Sequence, residues 1–185
     1  MNNSPIDLTK SKTNWSVLIK ARRSLWTYLL EPMVRWLPKF CSPLRIWALR
    51  AMGASIGKQC LILPGTRVLM PWNLKISDYV AIGEGVNIYN FAPVYIHRMT
   101  VISQDCYLCT GSHDYRQGNM PLIYDSIRIG SECWVASGVF IAPGVEIPNG
   151  VVVGAMSVVS KSLPSEWSVY AGNPCAFIKK RVMAV

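Results

Sequence analysis

The stretch 129–159, IGSECWVASGVFIAPGVEIPNGVVVGAMSVV, decides the fold. Ile129, Val135, Ile141, Ile147, Val153 and Val159 return at every sixth position. A helix repeats about every 3.6 residues and a plain strand every two, so neither accounts for the pattern. A short strand and a tight turn, repeated, do account for it, and such units stack into a parallel β-helix. Toward the N-terminus the same spacing gives Ile56, Ile62 and Val68, then Ile76, Ile82 and Ile88, then Ile96, Ile102 and Leu108, with slips of two residues between the groups. A small residue or proline often follows the apolar one (Gly57, Gly83, Gly130, Ala136, Ala142, Pro148, Gly154), as a crowded corner requires. Four residues past each key position a second side chain should point inward. Cys60, Cys106 and Cys133 fall there alongside Val139, Val145 and Val151, and read as small core side chains.

The bulk composition fits one substantial domain with an appendage. The 185 residues are 51% hydrophobic, yet no apolar run is long enough to span a bilayer. The N-terminus lacks the basic, apolar and small-residue order of a secretory signal. Six cysteines without zinc-type pairing, in a chain of this length, suggest free thiols and a cytoplasmic setting. The net charge of +9 is uneven: residues 1–58 hold ten Lys/Arg against Asp7 and Glu31. Four of the seven tryptophans (Trp15, Trp26, Trp36, Trp47) lie there too. The chain therefore divides into a basic, Trp-rich helical extension (1–54), a β-helix (55–165, with a loop insertion at 110–126) and a C-terminal tail (166–185).

Within the extension, 13–52 reads as helical. Ser16, Lys20, Arg23, Thr27 and Glu31 form a polar stripe, and Trp15, Leu18, Leu25, Leu29 and Met33 an apolar one opposite. Pro32 starts a second helix or marks a kink, and Pro43 and Gly53 bracket a third. Two readings follow. Either the aromatic face caps the rest of the protein, or the segment lies on an anionic membrane surface, at the inner face of the membrane. Nothing matches a nucleic-acid docking module.

The rhythm breaks once at length, over 108–126, LCTGSHDYRQGNMPLIYDS. This run holds His113, one of two histidines; the other, His97, follows Ile96 and reads as a surface or corner residue. A histidine on a polar, glycine-containing loop can project into a cleft, where a neutral imidazole serves as a general base. Cys109, beside the break, is the alternative nucleophile. Two histidines cannot supply a three-histidine zinc site of the γ-carbonic anhydrase type, so no metal is implied.

The hexapeptide pattern, the insertion TGSHDYRQG, the block CWVASGVFIAPGVEIPNGVVVGAMSVVSKSLP and the ending YAGNPCAFIKK resemble the left-handed β-helix, hexapeptide-repeat acyltransferases. Within that family the chain is similar to the WcaF-like branch of colanic acid and exopolysaccharide O-acetyltransferases. The resemblance covers residues 44–181. It implies an all-β, left-handed β-helix with triangular coils and a protruding loop, assembled as a homotrimer. It also implies acetyl-CoA as donor substrate and His113 as the base for direct transfer to a sugar hydroxyl, with no acyl-enzyme.

The resemblance further suggests residue roles. Asn90, Asp114, Tyr124 and Asp125 are acceptor-site candidates, although Asp114 equally suits a local turn bond and the others loop packing. Trp134 and Ser137 are candidates to flank the pantetheine arm, with Ala155, Ser160 and Lys161 lining the CoA slot. Lys179, Lys180 and Arg181 would meet the CoA phosphates or form a solvated basic tail. The expected function is O-acetylation of a small-molecule or lipid-linked sugar in surface-polysaccharide biosynthesis. Acetylation of an amino sugar, or a non-catalytic trimeric scaffold at a membrane, are the alternatives.

Overall fold

The computed structural model describes residues 5–11 and 15–184. Short parallel strands wind upward, three to a coil. β1 (Ser55–Ile56), β2 (Leu61–Ile62) and β3 (Arg67–Val68) form the first coil. The second holds β4 (Leu74–Ile76), β5 (Ala81–Ile82) and β6 (Asn87–Tyr89), and the third β7 (Val94–Ile96), β8 (Val101–Ile102) and β9 (Tyr107–Cys109). A hairpin of β10 (Gly111–His113) and β11 (Leu122–Tyr124) then leaves the stack. The fourth coil is β12 (Ile127–Ile129), β13 (Trp134–Val135) and β14 (Phe140–Ile141); the fifth is β15 (Glu146–Ile147), β16 (Val152–Val153) and β17 (Val158–Val159). β18 (Ser168–Ala171) continues the ladder on β16, and β19 (Ala176–Lys180) folds back antiparallel on β18.

The ladders make three faces. Face A is β1-β4-β7-β12-β15, face B runs from β2 to β18 and β19, and face C is β3-β6-β9-β14-β17. The six-residue period is the structural reason for this shape: two strand residues and four turn residues carry the chain from one face to the next. Register places equivalent apolar residues directly above one another. Ile56, Ile76, Ile96, Ile129 and Ile147 form one column. Ile62, Ile82, Ile102, Val135 and Val153 form the second. Val68, Ile88, Leu108, Ile141 and Val159 form the third. All are buried, and each contributes about 1.5–3 kcal/mol of apolar transfer.

Cys106 and Cys133 sit inside as expected, and burial pushes both thiols up to about 11. Cys60 is half-buried, in the first coil.

The residue after each column position lies where successive coils touch. A Cβ at Gly83 would stand 2.5 Å from the Gln104 backbone nitrogen, which cannot move without breaking the ladder. Gly83→Ala should therefore cost about 1–3 kcal/mol, read from the urea midpoint. An unchanged midpoint would mean the coils are looser than drawn.

The extension is helical along most of its length, though residues 13 and 14 lie outside the described residues. α1 (Val17–Leu25) passes through a π-helical turn, Trp26–Leu30, into α2 (Glu31–Arg35), and α3 (Ser42–Ala51) follows. Pro32 sits in the first turn of α2. The turn before it is widened, with the Glu31 N–H donating to the Trp26 carbonyl five residues back. Gly53, at φ +96°, ends α3 and donates to the Arg50 carbonyl at 2.8 Å.

These helices cover the open end of the stack, where the first coil would leave its backbone unpaired. Ser42 Oγ accepts from Ile62 N, and Arg45 donates to the Ile62 carbonyl. Arg50 reaches the carbonyls of Ile56 and Gly57, Arg35 that of Gly65, and the Trp26 indole that of Val68. This edge is capped by side-chain donors, which blunts it against pairing with another chain.

The capping corrects the reading of the helix stripes. Leu18, Leu25, Leu29 and Met33 face solvent, whereas Glu31, assigned to the polar stripe, is 6% exposed. The underlying surface offers backbone carbonyls beside apolar core residues, and Leu30 and Val34 pack on the latter. The face that docks is the one carrying Arg22, Trp26 and Arg35, which can donate to the carbonyls.

Candidate active site

Between β1 and β17 the six-residue step lengthens only at the corner between faces C and A. Val68 to Ile76 and Ile88 to Ile96 each take two residues more, and the third passage carries the hairpin. Thr110 anchors its base: it is buried, its N–H donates to the Tyr89 carbonyl, and its Oγ1 accepts from Ala92 N at 3.0 Å. The Asp125 N–H closes the other strand on the Thr110 carbonyl. Gly111 is needed here, since a Cβ would stand 2.6 Å from the Phe91 ring.

His113 ends β10 opposite Leu122, with an exposed ring. Its Nδ1 lies 2.7 Å from the Met120 carbonyl oxygen. A carbonyl can only accept, so Nδ1 carries the proton of the neutral ring and Nε2 keeps its lone pair. The hairpin thus presents an imidazole already in one tautomer. The tip is held locally: Asp114 accepts from the Arg116 guanidinium at 2.9 Å and from Gln117 at 3.0 Å. Those two partners hold the Asp114 carboxyl well below the usual carboxylate range. Asp7, from the N-terminal segment, donates its N–H to the Gly118 carbonyl at 2.8 Å.

The remaining acceptor candidates separate. Tyr124 and Asp125 line a shallow cleft of about 110 Å³ beside the hairpin, with Ser112, Ile123 and Pro143. Asn90 does not reach it. It is fully buried, accepting from Met70 N at 2.9 Å and donating to the Met70 carbonyl at 2.8 Å, so its amide stitches two C–A corners together. Asp114 likewise has its carboxylate engaged within the loop tip. Cys109 turns its thiol to the Gly111 carbonyl at 3.2 Å. His97 is exposed, as read.

Among the donor-site candidates, Trp134, Ser137 and Ala155 meet in one groove of about 320 Å³ along face B and its corner with face C. The Trp134 indole donates to Ser103 Oγ at 3.0 Å, which turns the ring along the groove. Ser103, Gln104 and Gly154, overlooked in the sequence, also line it. Their signal was present, because each occupies the first or second turn position after a column residue. Ser160 and Lys161 follow β17, at the C–A corner. Lys179 and Lys180 lie on β19, and Lys180 Nζ donates to Ser168 Oγ. Arg181 is committed to the carbonyls of Glu132 and Gly150 at 2.7 and 2.9 Å.

No protein-family model matches this chain. Among known proteins, WcaF of Escherichia coli (strain K12), by its name an acetyltransferase of colanic acid biosynthesis, is 42% identical over 158 residues, which are 85% of this chain and 86% of WcaF. The chain belongs to the hexapeptide-repeat acetyltransferases. Solved structures of that family superpose closely. A maltose O-acetyltransferase from Clostridium difficile 630 gives a TM-score of 0.81 at 26% identity, covering 91% of this chain and 90% of that one. A hexapeptide-repeat acetyltransferase from Vibrio cholerae O1 biovar eltor, complexed with acetyl-CoA, gives 0.82 at 25% identity, covering 92% and 93%.

As a hexapeptide-repeat acetyltransferase the chain is an enzyme of the acetyl-CoA-dependent acyltransferase class, built on a left-handed β-helix. Within one copy, its histidine hairpin and its face B groove occupy different corners of the triangular coil.

Proposed function

We propose that this acyltransferase moves the acetyl group of acetyl-CoA onto a sugar hydroxyl in surface-polysaccharide biosynthesis. The observation that carries the reading is the Nδ1 contact of His113 with the Met120 carbonyl, which leaves Nε2 free as a base. In the transfer, Nε2 takes the hydroxyl proton as the oxygen attacks the thioester carbonyl. The C–S bond then breaks, and the proton passes from the imidazolium to the departing thiolate. No acyl-enzyme is formed, consistent with Cys109 facing a carbonyl. The groove at Trp134, Ser137 and Ala155 suits the pantetheine arm, with small residues on its floor. Ser160 and Lys161 are proposed to line the CoA slot, and Lys179, Lys180 and Arg181 to meet the CoA phosphates. Tyr124 and Asp125 flank the acceptor.

The homotrimer that the resemblance implies belongs to this proposal. Its support is that histidine and donor groove lie at different corners of one copy, so that the hairpin of one protomer would complete the groove of its neighbour. The WcaF relationship supports a polysaccharide acceptor. The test is thiol release from acetyl-CoA with nucleotide sugars, amino sugars and lipid-linked glycans, comparing wild type with His113→Ala. No thiol release with any acceptor would favour the scaffold instead.

Peripheral membrane contact belongs to this proposal, supported by the outer face of the helices. Val17, Leu18, Tyr28, Met33, Trp36, Phe40 and Trp47 are exposed there, interspersed with Lys20, Lys39 and Arg50. Apolar and aromatic side chains beside cations match an anionic interface. The full chain should float with anionic liposomes at low salt, and the double variant Trp36→Ser, Phe40→Ser should lose most of that binding. Binding unaffected by both salt and substitution would count against it.

A further inference from the structure

The helical extension does more than close the end of the stack. Between it and face C lies a cavity of about 180 Å³, walled by Thr27 and Glu31 from the helix and by Arg67, Asn87, Tyr89 and Tyr107 from three successive coils. Glu31 is 94% buried by its 6% exposure, and among the described residues no hydrogen bond reaches its Oε1. Arg67 Nε stands 3.7 Å away, longer than a hydrogen bond. An ionised carboxylate so placed is costly unless something donates to it. Burial raises the Glu31 pKa, against the opposing pull of Arg67 and Arg35.

The chemistry of the walls narrows the class of ligand. Glu31 and Arg67 offset each other in charge, so the cavity favours a neutral guest. Carboxylate, guanidinium, amide and hydroxyl together provide acceptors and donors for several hydroxyls, while the two tyrosine rings offer apolar faces to C–H groups. The volume equals several waters at about 30 Å³ each. It falls below the roughly 300–1,000 Å³ of a drug-sized pocket, which suits one sugar ring better than a nucleotide.

The cavity is connected to the candidate active site by a row of rings. Tyr124 of the hairpin lies 6.5 Å from Phe91, Phe91 lies 4.7 Å from Tyr89, and Tyr89 lies 6.2 Å from Tyr107. We infer that the cavity under the helix is a second sugar subsite, taking a neutral, hydroxyl-rich ring of an oligosaccharide acceptor whose reacting unit lies at His113. The inference rests on the acetyl-transfer reading of the hairpin. It deepens that reading by making the acceptor longer than one sugar. Glu31 and Asn87 are binding residues in it and take no part in the chemistry.

The test separates the two claims. D-glucose, D-galactose, L-fucose and lactose are titrated into the full chain by saturation-transfer NMR, without acetyl-CoA. Wild type is compared with Glu31→Gln, Asn87→Ala and His113→Ala, each first checked by thermal melting. At least one sugar should bind wild type and His113→Ala alike, and about tenfold more weakly to the other two, a change of about 1.4 kcal/mol. If Glu31→Gln fails to fold, Asn87→Ala decides, since its side chain lies on the outer face of the coil.

Binding of no sugar, binding that survives substitution in the cavity, or displacement of the sugar by sulfate would each overturn the subsite. Acetyl transfer that persists in His113→Ala, with the sugar-binding pattern intact, would instead remove the histidine assignment and leave the subsite standing.

Discussion

Alanine at His113 is expected to lower kcat by about two to four orders of magnitude, with little change in the KM for acetyl-CoA. The split follows from geometry. Within one copy the ring stands on the hairpin away from the groove at Trp134, whose own walls would hold the donor, so donor binding should persist while proton removal fails. Glutamine at 113 should not rescue the rate, because its amide offers no basic lone pair. Circular dichroism and thermal midpoint should stay close to wild type, since the ring is exposed and its one hydrogen bond lies within the loop. Single-turnover thiol release on an accepted glycan is the measurement. Equal rates in wild type and His113→Ala would remove the base from the mechanism.

The largest stability effect should come from the columns. Ile129 is fully buried between Ile96 below and Ile147 above, in the coil that re-enters the stack after the hairpin. Ile129→Ala removes three carbons from a site walled by two register partners that the ladder holds in place, so collapse around the void is limited. A loss of about 2–5 kcal/mol is expected, and Ile129→Val should lose about 0.5–1.5 kcal/mol. For a chain of this size each kcal/mol moves the thermal midpoint by about 2–4 °C. A urea series of the two variants checks both numbers. An alanine loss no greater than the valine one would show that the column is not close-packed.

The columns were legible because one physical requirement repeats. Each coil must bury the same three positions against its neighbours, and fifteen residues in register print that requirement as a period. The histidine proposed as base stood out in the sequence because it lies in the one long break. Its tautomer did not, because Met120 comes opposite only once the strands Gly111–His113 and Leu122–Tyr124 are paired.

The helix misled for a different reason. The stripe that docks is Trp26, Leu30 and Val34, one residue displaced from Leu25, Leu29 and Met33, because there the apolar packing on the core is joined by Arg22, Arg35 and Arg45 donating to backbone carbonyls. Glu31 went unnoticed as a buried group since its neighbours Arg67 and Asn87 are far away in sequence. Asn90 was not legible as a buried residue, because the Met70 backbone that its amide bonds lies twenty residues away in sequence.

The confinement of every insertion between β1 and β17 to one corner has an evolutionary consequence. Coils contact only their immediate neighbours, so a segment added where faces C and A meet disturbs neither the columns nor the groove along face B. The cost of lengthening such a loop grows only slowly with its length. On the proposed reading, donor recognition and acceptor choice can therefore diverge independently, the former written into the repeat and the latter into what interrupts it.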